Sequence, residues 1–135
     1  MKIKKCWSTK GYGQKIIDPN PDFRKVLNCI NRFSGGKTYG SCQGHPPNFY
    51  KEGDKEINPT LNIKFNDEIL MNKLLNLFLY NKFVIQYIVE VDSWFHRAHP
   101  GYKFGLVIHL KKEVGNQNKW SELLSLLESY YEVQK

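Results

Sequence analysis

The chain has 135 residues, 41% of them hydrophobic and 14% aromatic, which is enough to bury a core within one domain without a metal or a disulfide framework. Its formal charge of +7 favours an anionic partner, but only Arg24, Arg32 and Arg97 among the 20 basic residues are arginine, which weighs against sequence-specific reading of a DNA groove. The longest apolar run is broken by Asn76, Asn81 and Lys82, and Met1 to Lys10 lacks an apolar leader core, so no membrane association is expected and a cytoplasmic location is.

Residues 1–17 alternate loosely around Gly11-Tyr12-Gly13 and read as a strand, a turn and a second strand ending at Ile16-Ile17. Asn20 then caps a helix with Pro21 at its first position. Phe23, Val26, Leu27, Ile30 and Phe33 form its apolar stripe, and Ser34-Gly35-Gly36 stops it. Cys29 falls off that stripe as a small, half-buried filler. After a short β-prone run and a charged loop from Phe49 to Pro59, Thr60 to Phe65 alternates as a strand with one wet face. Asn66-Asp67-Glu68 opens a second helix carrying Leu70, Leu74, Leu77 and Phe78 and ending at Asn81.

Phe83 to Asp92 and Lys103 to Lys111 read as a β-hairpin with a long, decorated tip, and His109 as a half-buried sheet residue. Gly115 to Asn118 precedes a last helix bearing Trp120, Leu123, Leu124, Leu127 and Tyr131. This order predicts a single α+β domain: a two-layer sandwich with a ferredoxin-like β-α-β-β-α-β core, an added strand and a C-terminal helix.

Two stretches carry chemistry. Lys37 to Asn48 packs Ser41, Cys42, Gly44 and His45 into a segment too rich in Gly and Pro for a helix, and successive amides in such a turn can nest an anion. Lys37, Ser41, the Gly44 amide and His45 are the expected phosphate donors, set against a plain rigid turn at Gly44-His45-Pro46-Pro47. In the tip, Trp94, Phe95 and Tyr102 interleave with His96, Arg97 and His99, the mixture of ring faces and cations that suits a nucleotide or a single strand. The alternative is that these rings fold the tip back onto the core.

The three cysteines, Cys6, Cys29 and Cys42, are an odd number and are expected as free thiols. Cys42, His45, His96 and His99 are of zinc-ligand type if the two loops meet, although no cofactor is required. The same groups, with Cys42 as nucleophile, His45 as base and His96 or His99 assisting, would serve an enzyme. No Walker loop, G-x-S-x-G or H-E-x-x-H motif accompanies them.

Val26 to Asn31 followed by Thr38 to His45 resembles the helix-then-S-C-x-G segment of the tRNA wybutosine-synthesising methyltransferase-like family and of small bacterial and phage proteins with an S-C-x-G-H loop. The resemblance covers about 25 residues, with Ser41, Cys42 and Gly44 at the matching positions and His45 where that family has Arg. It implies an α/β setting and a tRNA-directed activity. The leading expectation from the residues is a non-enzymatic binder of a nucleotide or another phosphorylated small molecule, with a phage host-defence antagonist that sequesters a host nucleotide signal as one form of it. An RNA-acting enzyme using Cys42 and His45 is the second. The third is a protein-interaction or inhibitor protein whose Trp94–Tyr102 tip makes the contact, and homo-oligomers are compatible with all three.

Overall fold

A computed structural model describes residues 20–44, 52–53 and 55–132. The strands expected before residue 18, and His45 with the proline turn after it, lie outside the described residues. Helix α1 (Pro21–Phe33) starts where its cap predicts: the Asn20 side chain accepts from the amides of Asp22 and Phe23 at 2.9 and 3.1 Å. Its end is closed by Ser34, whose Oγ donates to the Ile30 carbonyl at 2.7 Å and accepts from the Gly36 amide at 3.0 Å. Gly36 has to be glycine, since a Cβ would lie 2.7 Å from Ile63 Cγ2 and from the Phe65 ring.

Strands β1 (Lys37–Thr38) and β2 (Thr60–Phe65) pair antiparallel, and α2 (Glu68–Tyr80) follows with Asp67 as its cap. Strands β3 (Val84–Glu90) and β4 (Phe104–Leu110) are antiparallel neighbours, as the hairpin reading expects. The tip between them is not an open loop. It holds the short helix α3 (Ser93–Ala98), because Asp92 accepts from the Phe95 amide at 2.8 Å and so supplies an N-cap. A further short helix, α4 (Lys112–Asn116), comes before α5 (Trp120–Tyr130) where a simple cap is expected; it lets Val114 reach the core.

The sheet order is β1-β2-β4-β3. Strand β2, helix α2 and strand β3 form a split β-α-β unit with β4 inserted between its two strands, so the fold is α+β. One face of the sheet is apolar: Leu61, Ile63 and Phe65 of β2 stand opposite Ile108, Leu106 and Phe104 of β4. Helices α1, α2 and α5 cover that face with Phe23, Ile30, Leu74, Phe78, Trp120 and Leu123 among others. Phe23 meets Trp120 edge to face at 4.6 Å. Each such side chain removed from water contributes about 1.5–3 kcal/mol. Cys29 is more deeply placed than its position off the stripe suggests, being buried. Among the described residues no helix is long and apolar enough to cross a membrane.

Candidate functional site

Alternation along the strands sends Thr60, Asn62 and Lys64 to the second face of the sheet, beside Gly105, Val107 and His109 of β4 and Gln86, Ile88 and Glu90 of β3. Helix α3 folds over one end of this face, above Gly105. A Cβ on Gly105 would run into the Phe95 ring and come within 3.0 Å of the Tyr39 hydroxyl, so the missing side chain is what lets the tip seat. Phe95 is fully buried there and His99 nearly so. Residues 95 and 99 lie one helical turn apart, at i and i+4, and both rings turn inward to meet Tyr39: the Tyr39–His99 centroids are 4.3 Å apart and the Phe95–His99 centroids 4.9 Å. Tyr39 also donates to Glu90 Oε1 at 3.3 Å, which ties β1 to β3 across the face.

Lys64 stands against this aromatic floor, with the exposed Lys37 beside it on the same face. Lys37 stands directly opposite Lys64 in the β1–β2 ladder. Lys64 places Nζ 3.4 Å from His99 Nδ1 and 4.6 Å from the centre of the Tyr102 ring. An ammonium only donates, so Nδ1 is the acceptor and the His99 ring is neutral with its proton on Nε2. Its surroundings favour the same state: burial first and then Lys64 hold the imidazole below its ordinary value. Burial first and then Lys37 do the same to the Lys64 ammonium. Asn62 lies next to Lys64 on the same face, its Nδ2 donating to the Gly40 carbonyl at 3.2 Å while its buried Oδ1 has no partner among the described residues.

The other expected tip residues point away. Trp94 is 59% exposed, and His96 and Arg97 are also exposed, with His96 Nε2 donating to the Lys103 carbonyl at 3.1 Å. Phe95 and His99 thus support the reading in which the tip folds back, while Trp94, His96 and Arg97 form an outer surface.

The 40s loop serves the scaffold over its described length. Ser41 is fully buried, its Oγ accepting from the Asn62 amide at 3.1 Å. Cys42 forms a bridge with Thr60, the Gly44 amide donates to Cys42 Sγ at 3.4 Å, and Gly44, at φ +85°, lies against Pro59. Gln43 fixes the loop to the helices: its side-chain oxygen accepts from the Asn20 amide at 2.8 Å and its carbonyl from Trp120 Nε1 at 3.1 Å. The loop therefore runs to the Thr60 end of β2 while the tip sits at the Lys64 end. Four strand residues separate the two levels, roughly 13 Å. Tyr39 and Lys37, ahead of the Gly-Ser-Cys run, are the part that reaches the tip.

The expectation of three free thiols is corrected. Cys42 is disulfide-bonded, with its partner outside the described residues, and Cys29 is the free thiol among them. A disulfide sulfur is neither a nucleophile nor a zinc ligand in this state. Among the described residues no three His, Cys, Asp or Glu side chains come together as metal ligands. Lys64 and Tyr39 are the site residues that the sequence reading passed over; the signal for Lys64 was its place on the wet face of the Thr60–Phe65 alternation. Comparison of the chain with protein-family models, with curated proteins and with solved structures gives no match.

Proposed function

We propose that the protein is a binding protein for a phosphorylated small molecule, of nucleotide type, and that the site is the corner formed by Lys37, Lys64, His99 and Tyr102. The observation that carries this reading is the Lys37–Lys64 pair. Like charges directly opposite on a ladder are destabilising, and here one of the two is also drawn out of water against a neutral imidazole. No ion pair within the described residues relieves either amine. A bound phosphate would offset both, and would favour protonation of His99 as a third donor.

One feature favours a nucleotide over a bare phosphate: the Tyr102 ring beside Lys64 offers a face on which a base can stack. The enzyme reading is not advanced, because its nucleophile is held in a disulfide.

Thermal-shift and calorimetric titrations with inorganic phosphate, nucleoside mono-, di- and triphosphates and the unphosphorylated nucleosides test the proposal. Nucleotides should raise the melting temperature in proportion to the logarithm of concentration. Nucleosides should not, and Lys64→Gln should abolish the shift without unfolding the protein. A protein indifferent to every phosphate compound, or a Lys64→Gln variant that binds like the parent, overturns it.

A further inference from the structure

Among the described strands β3 is an outer one, yet its sequence is that of a strand covered on both sides. Ile85, Tyr87, Ile88, Val89 and Val91 are 54, 46, 50, 38 and 55% exposed. Ile88 lies on the open face and Tyr87 and Val89 on the helix-covered face, so the apolar surface wraps around the edge. Continuous apolar runs belong to strands with neighbours on every side. Exposed edges are normally blunted by Lys, Pro or a central bulge. Between Val84 and Val91 there is no Lys and no Pro, and the irregularity at Val84/Gln86 sits at the start of the strand.

The ladder shows which backbone groups are left over. The Leu110 amide donates to the Pro59 carbonyl, so even-numbered residues of β4 face β2 and odd-numbered ones face β3. Gly105, Val107 and His109 therefore bond to Glu90, Ile88 and Gln86. Tyr87 and Val89 direct their N–H and C=O groups outward, from the middle of the apolar patch.

We propose that this edge pairs antiparallel with β3 of a second copy of the chain about a two-fold axis, joining two four-stranded sheets into one of eight. The charges at the ends of the strand single out a second copy as the occupant. Lys82 precedes the strand, and Glu90 and Asp92 close it. Antiparallel self-pairing brings each basic end beside the partner's acidic end, twice in one isologous interface. Exposed Tyr80 and Trp94 flank the same two ends and extend the contact beyond the backbone ladder.

Sedimentation equilibrium of the full chain from about 1 to 100 µM, a range that resolves self-association of ordinary strength, tests this directly. The parent should be a dimer in which the Tyr87 and Val89 amides are protected from hydrogen exchange. Ile88→Lys, at a half-exposed position, should give a folded monomer in which those two amides exchange freely. Lys82→Glu should weaken the dimer at least about tenfold by setting like charges together. Asp92→Asn, which keeps a capping side chain for α3, should recover part of that loss in the double variant. A monomer throughout the range overturns the proposal, including one whose Tyr87 and Val89 amides are protected by another part of its own chain. So does a dimer that Ile88→Lys leaves intact.

Discussion

The seating of α3 on the sheet depends on an absent side chain, and Gly105→Ala tests this directly. Gly105 has none of the positive φ that only glycine adopts readily, so alanine suits its backbone and by itself would gain about 0.5–1 kcal/mol of unfolded-state entropy. The new Cβ would meet Phe95 Cδ1 at 2.9 Å and the Tyr39 hydroxyl at 3.0 Å, well inside the 3.5–4.0 Å of an unstrained contact. Neither ring has room to retreat, Phe95 being fully buried and Tyr39 tied to Glu90 and packed at a tilt against His99. Overpacking of this kind costs about 1–3 kcal/mol. The difference leaves a net loss of about 1–2 kcal/mol and a fall in Tm on the order of 5 °C. Urea unfolding of the parent, Gly105→Ala, Phe95→Leu and the double variant closes the cycle. If the clash is with Phe95, the smaller side chain relieves it, and the double variant should be more stable than the sum of the singles by at least about 1 kcal/mol. A Gly105→Ala protein as stable as the parent, or strict additivity, would refute the seating argument.

Three further outcomes follow from the same geometry. Under denaturing, non-reducing conditions a thiol reagent should label Cys29 but not Cys42, and both after reduction. In the native state Cys29 should react slowly, because burial first and then Glu128 push its thiol up. Asn20→Ala should cost about 1–2 kcal/mol in chemical denaturation, toward the upper end, since Asn20 caps α1 and also donates to Asn118 Oδ1 at 2.6 Å. In the absence of ligand, stability should fall as the pH drops. His99 has its folded-state value held down by burial and Lys64, so the unfolded chain takes up its proton first, below about pH 6.5. The contribution is present above that pH and is lost as the pH falls through the folded value. His99→Gln should flatten the slope of unfolding free energy against pH, and a slope unchanged by the substitution would contradict the buried, neutral ring.

What was legible in the sequence was whatever a period could express. The stripe of α1, the alternation of β2 and the cap at Asn20 each repeat a local rule, and each stands in the structure where the rule puts it. The hairpin tip failed that treatment because six residues are too few to show a helical period against a background of turn-like neighbours. Its signal was the cap: Asp92 three residues before an amide that needs an acceptor. With that recognised, Phe95 and His99 fall at i and i+4 and turn inward together, whereas Trp94 and Arg97, at i and i+3, share the outer side. The alternation of aromatic and cation that looked like a single ligand-facing surface is thus two surfaces seen in projection. The strand β3 is the converse case. Its wealth of apolar residues was legible, but among the described strands only β4 pairs with it, on one edge. The disulfide at Cys42 had no local signal at all, because pairing between distant thiols depends on the approach of two chain segments, which no spacing encodes. The residues of the proposed site come from β1, β2 and the turn after α3 for the same reason: Lys37 and Lys64 are 27 positions apart in sequence and become neighbours only through the ladder that joins them.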